Sequence, residues 1–427
     1  MRTLLVLGAG TAGTMIVNRL RRRLDPGEWN ITVVDRDDVH HYQPGYLFLP
    51  FGTYSPKQVT RSRHVTLLDG VDFVIGDVDR VDAATNTVAL ADGRTLGYDY
   101  LVIASGTTPR PDQTPGMLGA LWRSSIFDFY TFEGATALAT ALKAFDHGRL
   151  VVHITDMPIK CPVAPLEFTF LAEAWLRERG VRDQVEIVYV TPLPGAFTKP
   201  TCSEALGYML DDRKINLETD YLVERIDVEK RALVSYDERE VSFDLLVTVP
   251  LNMGADFVAR SGLGDELNFV PVDKQTLQSK ANKNIFAIGD ACDIPASKAG
   301  SVAHFAVEVF TDNFLQLIAG RRMTGSFDGH ANCFIEAGNG KGLLIDFNYD
   351  IEPMKGKYPL PLVGPMSLLK ETRANHLGKL AFRWIYWNVL LPGRSMPVPT
   401  HMSMVGKTAN KTTTATTSAT TTTTTIT

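Results

Sequence analysis

The stretch "RTLLVLGAGTAGTMIVNRLRRRL", residues 2–24, decides the fold. It reads as an apolar strand, a glycine-rich turn and an amphipathic helix, and Gly8, Gly10 and Gly13 fit the pattern G-x-G-x-x-G. In a nucleotide-binding βαβ unit the first glycine allows the tight turn, the second lets the backbone approach a pyrophosphate, and the third lets helix and strand pack closely. The helix N-terminus then offers N–H donors to the phosphates. The stretch therefore predicts a Rossmann-like dinucleotide-binding domain.

Three further strands extend this prediction. The strand "NITVVDRDD" contains Asp35, 22 residues after Gly13, where a carboxylate can hydrogen-bond a ribose 2′-OH. One later apolar strand ends at Ala104-Ser105-Gly106 and another at Gly289-Asp290. Together with the N-terminal turn, these two strand ends resemble the FAD-binding signature of the pyridine nucleotide–disulfide reductase superfamily. The resemblance implies that FAD is the cofactor and that Asp290 holds its ribityl or phosphate part.

Two more segments are expected at the cofactor. "HHYQPGYLFLPFG" resembles the family's loop over the FAD, so Pro44 is expected to pack against it. The helix in "SKAGSVAHF" is expected to point its N-terminus at the flavin ring, where the dipole and Lys298 would stabilise anionic reduced flavin. For Lys298 a solvated surface position is the alternative. The predicted cofactor-binding residues are Gly8, Gly10, Thr11, Ala12, Gly13, Asp35, Pro44, Ala104, Ser105, Gly106, Gly289, Asp290, Lys298 and Gly300.

Composition narrows the class of protein. The chain has 427 residues, of which 44% are hydrophobic and 21% charged, as in an ordinary globular protein with a large core. Its formal net charge is −5, which gives no indication of nucleic-acid binding. The four cysteines do not form a CxxC pair, so neither a metal site nor a disulfide scaffold is expected. Neither a signal peptide nor a membrane-spanning helix is expected.

A second βαβ unit lacks the glycines of the first. It comprises "LVVHIT" (150–155), a helix over 166–179 and "QVEIVYVTP" (184–192), and the superfamily's plan would place NAD(P)H here. The turn between strand and helix, "DMPIKCPVAPLEF", holds no glycine, and its prolines remove backbone donors. We therefore expect no nicotinamide binding. Cys161, just before a helix N-terminus, is expected to have a lowered thiol pKa, with a buried structural thiol as the alternative.

A second cysteine points to a narrower family. "HANCFIEAGNGKGLLIDFNY" places Cys333 at the start of a strand. The text around both cysteines, "KCPVAPLEFTFL" and "CFIEAGNGKG", resembles the sulfide:quinone oxidoreductases, flavoproteins that oxidise sulfide and reduce membrane quinone. The resemblance extends from Met1 to about Pro399. It implies that Cys161 and Cys333 flank the flavin ring and are joined by a disulfide or a sulfur chain.

The other cysteines receive no redox role. Many family members have a third cysteine shortly after the A-[ST]-G strand, but that region here, "WRSSIFDFYTFEGA", has none. This departure indicates a two-cysteine subgroup. Cys202 matches no family motif, and Cys292 is expected to be a small packing residue near FAD. Because hydrosulfide attacks a disulfide sulfur to give a persulfide and a thiolate, we expect Cys333 to react with the flavin and Cys161 to carry the growing sulfur chain.

A quinone acceptor implies a membrane, and residues 368–391, "LLKETRANHLGKLAFRWIYWNVLL", are typical of a helix that lies in the lipid interface. Trp384 and Trp387 suit the headgroup level. The alternatives are a buried terminal helix or a dimer contact. The resemblance implies a quinone-side lysine here, with Lys370 the first candidate and Lys379 the second. His376 is either a proton relay to the quinone or a solvated histidine.

The sequence thus predicts an α/β fold with two Rossmann-like domains and a C-terminal membrane-associating region. The predicted ranges are 1–107 and 256–329 for the two parts of the FAD domain, 108–255 for the second Rossmann-like domain, 330–400 for the C-terminal region and 401–427 for a disordered threonine-rich tail. The predicted function is that of a peripheral membrane sulfide:quinone oxidoreductase, with sulfide, membrane quinone and the bilayer surface as partners and with homo-oligomers expected.

Two other functions remain open from the sequence. A type II NADH:quinone oxidoreductase would have a glycine loop where Cys161 stands. The flavin subunit of a cytochrome-linked sulfide dehydrogenase would have a signal peptide and no membrane-facing helix.

Overall fold

The computed structural model describes residues 1–360, 364–396 and 398–408. Residues 409–427 of the predicted tail lie outside the described residues. Residues 401–408 are described, and the prediction of disorder is wrong for Lys407–Thr408, which form a strand. The α-helices in these residues are α1 (Thr11–Arg21), α2 (Arg63–Thr66), α3 (Phe132–Ala144), α4 (Ala164–Glu178), α5 (Pro200–Asp212), α6 (Asp256–Arg260), α7 (Gly300–Ile318) and α8 (Arg373–Ile385). A π-helical turn, Tyr386–Leu390, continues α8.

The strands in the described residues are β1 (Arg2–Leu7), β2 (Trp29–Asp35), β3 (Val39–His41), β4 (Thr60–Ser62), β5 (Asp72–Ile75), β6 (Val78–Asp82), β7 (Thr87–Leu90), β8 (Thr95–Gly97), β9 (Tyr100–Ile103), β10 (Thr108–Pro109), β11 (Ile126–Phe127), β12 (Gly148–Ile154), β13 (Val185–Val190), β14 (Asn216–Glu218), β15 (Val223–Asp227), β16 (Ala232–Ser235), β17 (Glu240–Ser242), β18 (Leu245–Val249), β19 (Asn252–Met253), β20 (Ile285–Ala287), β21 (Ala331–Gly338), β22 (Lys341–Phe347), β23 (Lys355–Tyr358), β24 (Met366–Leu368) and β25 (Lys407–Thr408).

The first sheet is parallel and has the strand order β20-β9-β1-β2-β5. Its central strands are continuous apolar runs because helices cover both faces, and Leu4, Val6 and Val102 are fully buried. In register, Val6 pairs with Val33 on β2 and with Val102 on β9. The carboxyl ends of β1, β9 and β20 therefore meet at one edge, where Rossmann-like sheets bind their ligands.

The second sheet is also parallel, with the order β11-β18-β12-β13-β14. Helix α4 follows β12 and leads to β13, which makes the βαβ unit that the sequence predicts. The mixed α/β fold with two Rossmann-like parallel sheets is thus confirmed.

The third sheet is mixed, with the order β21-β22-β24-β23-β25. Strand β21 also packs against α4, and α8 lies across β21 and β22. Two glycines allow this close packing, because a Cβ on Gly378 would lie 2.9 Å from the Phe334 ring and one on Gly342 would lie 3.3 Å from the His376 backbone nitrogen. The third sheet thereby places α8 beside the first turn of α4.

Candidate active site

A cavity of about 620 Å³ opens at the carboxyl ends of β1, β9 and β20. It is lined by the glycine-rich turn, by the start of α7 and by the turn between β12 and α4. Of the predicted residues, the cavity is lined by Gly8, Gly10, Thr11, Ala12, Asp35, Pro44, Ala104, Ser105, Gly106, Cys161, Gly289, Asp290, Lys298, Gly300 and Lys379. Gly13, Cys333, Lys370, Trp384 and Trp387 do not line it.

The glycine-rich turn is shaped for close packing and for phosphate binding. Gly8 has a φ of +104°, and a Cβ on Gly13 would lie 1.8 Å from the Gly8 carbonyl oxygen, so neither position accepts a larger residue. Gly13 therefore acts through packing rather than through contact with the cavity. No side chain caps α1 at Gly10, which leaves its first amides free to donate to a pyrophosphate.

Asp35 lies at the end of β2, as predicted, and its carboxylate is held by neighbours. It accepts hydrogen bonds from the Ala9 amide at 2.7 Å and the Arg36 amide at 2.8 Å, and it pairs with Arg63 at 3.0 Å. Burial raises the pKa of Asp35, against the opposing charge of Arg63. Arg63 also lines the cavity, and no motif in the sequence indicated it.

The cavity wall fits a dinucleotide such as FAD. A Cβ on Gly10, Gly106 or Gly300 would meet nothing within 4 Å, so bare backbone faces the open space at these positions. The hydroxyls of Ser105 and Thr107 are buried and have no hydrogen-bond partner among the described residues. Buried polar groups are nearly always satisfied, which indicates that a polar ligand belongs here.

Lys298 is buried rather than solvated, so the surface alternative is wrong. Its Nζ donates to the carbonyl oxygens of Asp290 and Cys292, both at 2.9 Å, and lies 3.8 Å from the centroid of the Phe269 ring. Burial lowers the pKa of Lys298 and raises that of Asp290. The ammonium group thus stabilises the backbone around Asp290 while it faces the cavity.

Cys161 is held in an unusual backbone conformation at the cavity wall. Its φ is +49°, its amide donates to the Lys298 carbonyl at 2.6 Å, and its own carbonyl accepts from the Tyr130 hydroxyl at 3.1 Å. The expectation of a lowered thiol pKa is wrong, because burial raises the pKa of Cys161 and the nearby Glu167 carboxylate adds to the rise. Left-handed conformations of non-glycine residues concentrate at functional sites.

Cys333 lies on β21 and is 9% exposed. Burial raises its pKa to about 12, although the Lys379 charge and a hydrogen bond from Ser301 oppose the rise. The charges of Lys379 and Glu167 act on the pKa of both Cys161 and Cys333. Both cysteines are free thiols in this structure, as are Cys202 and Cys292, which are buried.

Of the two candidate lysines on the quinone side, Lys379 lines the cavity and Lys370 is exposed outside it. Lys379 Nζ donates to Glu167 Oε1 at 2.7 Å and to the Phe334 carbonyl at 3.1 Å. Burial lowers the pKa of Lys379, but the charge and hydrogen bond of Glu167, together with the Cys161 and Glu336 charges, outweigh this effect and raise the pKa overall. Lys379 therefore points to Glu167 and not to lipid headgroups.

Two carboxylates at this site had no predicted role. Glu167 on α4 and Glu336 on β21 are almost fully buried, at 0% and 1% exposed. His376 on α8 bonds Glu336 Oε2 through Nδ1 at 2.9 Å, so it is not the freely solvated histidine of the alternative reading. The sequence indicates these two residues only by a single acidic residue within a largely apolar run. Glu167 stands in "LEFTFL" and Glu336 in "CFIEAG".

The prediction for the two tryptophans is wrong for one of them. Trp384 is 64% exposed, whereas Trp387 is 6% exposed and packs against His40 and Tyr42, with the Arg61 guanidinium 4.4 Å above its ring. Trp387 lies in the π-helical turn Tyr386–Leu390, so it does not follow the regular 3.6-residue repeat of α8 and is turned inward. Trp387 is thus a core residue.

Two other features are absent from the described residues. No helix there is long and apolar enough to cross a membrane. No group of histidine, cysteine and carboxylate side chains there is arranged to hold a metal ion.

The fold and the cavity define a class of protein. Residues 2–308 match the family described as pyridine nucleotide-disulphide oxidoreductase, and the chain belongs to that family. FAD is the cofactor, as predicted from the sequence, because the family consists of FAD-binding flavoproteins.

Individual relatives narrow the comparison. The mitochondrial sulfide:quinone oxidoreductase of Schizosaccharomyces pombe is 28% identical over 414 residues, covering 90% of this chain and 88% of the relative. The one from Mus musculus is 25% identical over 396 residues, covering 91% and 86%. The structure of sulfide:quinone oxidoreductase from Aquifex aeolicus superposes with a TM-score of 0.77 at 19% identity over 92% of each chain, which shows a shared fold. The resemblance found in the sequence is confirmed.

Proposed function

We propose that this protein is a sulfide:quinone oxidoreductase that uses FAD and the cysteine pair Cys161 and Cys333. The observation that carries the proposal is the placement of Cys161 on the wall of the FAD-type cavity, in the turn where a related enzyme would bind a nicotinamide. Similarity to sulfide:quinone oxidoreductases over nine-tenths of the chain supports it.

The turn between β12 and α4 closes the flavin cleft instead of receiving a second nucleotide. Lys160 forms an isolated β-bridge with Lys298, its amide donates to Asn252 Oδ1 at 3.2 Å, and its Nζ donates to Gln43 Oε1 at 3.0 Å. Because a pyrophosphate needs small residues and free amides, this turn does not favour NADH. Sulfide is therefore the proposed electron donor.

The two cysteines supply the sulfur chemistry. In the oxidised protein, hydrosulfide attacks the bridge at Cys161, a new S–S bond forms there, and the bond to Cys333 breaks to leave a thiolate. The positive charge of Lys379 acts on both thiols, so it would stabilise that thiolate. FAD supplies the two-electron chemistry between the sulfur centre and the quinone. The assignment of Cys161 and Cys333 to these two roles remains a prediction.

We infer that the protein associates with membranes peripherally through α8. Leu377 and Trp384, seven residues apart on one helix face, are both more than 60% exposed, which suits contact with the lipid interface. We call these two side chains the lipid-facing pair. The division into the ranges 1–107, 108–255, 256–329 and 330–400, and the homo-oligomer, stay predictions.

The decisive test compares two donors under anaerobic conditions. Sulfide should bleach the flavin absorbance within seconds, and NADH at the same concentration should not. Rapid bleaching by NADH, or none by sulfide, would contradict the proposal and favour a type II NADH:quinone oxidoreductase.

A further inference from the structure

Lys160 places a positive charge on the solvent side of the flavin cavity, next to Cys161 in the chain. Both residues line the cavity and are partly buried. The Lys160 Nζ donates to Gln43 Oε1 at 3.0 Å, and Gln43, which also lines the cavity, is exposed at the start of the 3₁₀ helix Gln43–Phe48. This hydrogen bond therefore joins two walls of the cavity close to solvent.

The backbone around Lys160 is held in place by neighbouring segments. Lys160 forms a β-bridge with Lys298, and its amide donates to Asn252 Oδ1 at 3.2 Å. The Cys161 amide donates to the Lys298 carbonyl at 2.6 Å. Because Lys160 and Cys161 are both fixed against Lys298, the ammonium group and the thiol belong to one rigid stretch of the cavity wall.

The Lys160 ammonium forms no ion pair with a carboxylate among the described residues. An ammonium group has three N–H donors, and the neutral Gln43 amide occupies only one of them. Burial lowers the pKa of Lys160, against the charges of Asp290, Asp128 and Cys161. An anion beside the ammonium group would therefore stabilise its charged form.

Other cations that line the cavity already have anionic partners. The pairs are Lys379 with Glu167, Arg63 with Asp35 and Arg110 with Asp256. Lys160 thus differs from these three in having donors and charge available to an anion that enters the cavity.

We propose that Lys160, oriented by Gln43, forms an entry site that binds the hydrosulfide anion and directs it to Cys161. The inference rests on the proposed function and names the residue that captures its donor. The anion is the species to capture, because the deprotonated sulfur is the nucleophile in disulfide chemistry. Moving an anion out of water costs free energy unless charge or hydrogen bonds compensate it, and Lys160 offers both.

The exposure of the two cysteines agrees with this route. Cys161 is partly exposed, whereas Cys333 is buried. The cysteine next to Lys160 in the chain is therefore also the one that an anion arriving from solvent reaches first. This order matches the proposed attack at Cys161, with Cys333 as the leaving group.

The first test follows flavin reduction by sulfide under anaerobic conditions in stopped flow, over a range of sulfide concentrations. Lys160→Gln should lower the second-order rate constant about ten- to a hundredfold, because a hydrogen bond to a charged group is lost. At saturating sulfide the rate should stay within about twofold of the wild type, since binding and not chemistry is affected. Lys160→Arg keeps the charge and should restore most of the rate constant. Lys143→Gln, at an exposed position on α3, is the matched control and should behave as the wild type.

The second test measures anion binding without turnover. Thiocyanate, an unreactive monovalent anion, is titrated into the oxidised holoprotein in a calorimeter, and its inhibition of sulfide-dependent flavin reduction is measured separately. The wild type, Lys160→Arg and Lys143→Gln should bind thiocyanate, and inhibition should be competitive with sulfide. Lys160→Gln should show neither binding nor inhibition, while its flavin content is unchanged.

Three results would overturn the entry site. They are an unchanged second-order rate constant in Lys160→Gln, equal thiocyanate binding by Lys160→Gln and the wild type, and equal losses in Lys160→Arg and Lys160→Gln, which would show that the lysine acts through structure and not through charge. Failure of sulfide to reduce the wild type would overturn the proposed function, whereas thiocyanate binding that still depended on Lys160 would leave the anion site standing.

Discussion

Cys161 and Cys333 come from distant parts of the chain, and the charges of Lys379 and Glu167 act on both thiols. Their thiol pKa values are raised mainly by burial, so at neutral pH the reduced cysteines hold their protons. In the proposed mechanism, reactivity at this site therefore depends on the oxidised, bridged state, in which hydrosulfide is the nucleophile and a cysteine is the leaving group. In that mechanism the role of Lys379 is to stabilise the leaving thiolate, since its charge lowers the pKa of Cys333 against the effect of burial.

The cysteine pair yields a direct mutational prediction. Cys161→Ala and Cys333→Ala should each retain FAD, since the dinucleotide motifs lie elsewhere, but lose sulfide-dependent quinone reduction by at least about a hundredfold. Cys202→Ala, which changes a buried thiol on α5, should stay within about twofold of the wild type. The measurement is steady-state quinone reduction with flavin content as the control. Full turnover in either of the first two variants would rule out the bridge mechanism.

A buried histidine gives a prediction about pH. His153 on β12 bonds Thr248 and is fully buried, and burial lowers its pKa to about 3. Because the unfolded chain binds a proton near pH 6.5 and the folded one does not, the stability from neutral His153 is present above pH 6.5 and is lost as pH falls toward 3. The loss is roughly 2 kcal/mol by pH 5.

His153→Asn should therefore show a smaller drop in melting temperature between pH 7.5 and pH 5 than the wild type. His147→Asn, at an exposed position, should follow the wild-type curve and serves as the control. Identical pH dependence in His153→Asn and the wild type would show that another group governs acid destabilisation.

At the scale of elements, local signals were predictable and long-range contacts were not. The glycine-rich turn, the strand ends at Gly106 and Asp290 and the glycine-free second turn each depend on a few adjacent residues. Lys379 and Glu167 are 212 positions apart, and nothing in either local segment indicates the other. The same limit explains Trp387, since a helical projection cannot show that a π-helical turn rotates it into the core.

Helix α8 gives a prediction in which two neighbouring tryptophans behave differently. Trp384→Ser should weaken binding to anionic liposomes by about thirtyfold, because roughly 2 kcal/mol of apolar burial in the interface is lost. Flavin content should not change. A flotation assay measures this. Equal flotation of Trp384→Ser and the wild type, or no flotation of the wild type, would show that the lipid-facing pair contacts protein instead.

Trp387→Ser is the matched contrast in the same helix. It removes a core side chain, so it should destabilise the fold by about 3–5 kcal/mol and lower the melting temperature, whether or not lipid is present. If Trp387→Ser had normal stability but no longer floated with lipid, Trp387 would be a lipid-contacting residue and not a core residue.

At the scale of the whole molecule, the C-terminal region is hydrogen-bonded to α1 and to the residue that follows it. Asn18 Nδ2 donates to the Leu391 carbonyl at 2.7 Å, and Arg22 Nε donates to the Pro392 carbonyl at 3.1 Å. The Tyr386 hydroxyl lies 2.8 Å from Thr11 Oγ1 and 2.7 Å from His40 Nε2. The proposed lipid-binding helix and the phosphate-binding turn are therefore parts of one packed unit.

This connection predicts that a change in the C-terminal region loosens the cofactor. Tyr386→Phe removes the hydroxyl that bonds Thr11 and leaves a nitrogen of His40, fully buried, without its partner. Losing such a hydrogen bond costs about 1–1.5 kcal/mol, so FAD should dissociate roughly five- to tenfold faster. Tyr208→Phe, at a tyrosine that is 71% exposed on α5, is the control and should dissociate at the wild-type rate. The release of flavin fluorescence after dilution measures both rates. Equal rates in Tyr386→Phe and the wild type would show that the Tyr386 hydroxyl links the C-terminal region to α1 but does not stabilise the FAD-binding conformation of the glycine-rich turn.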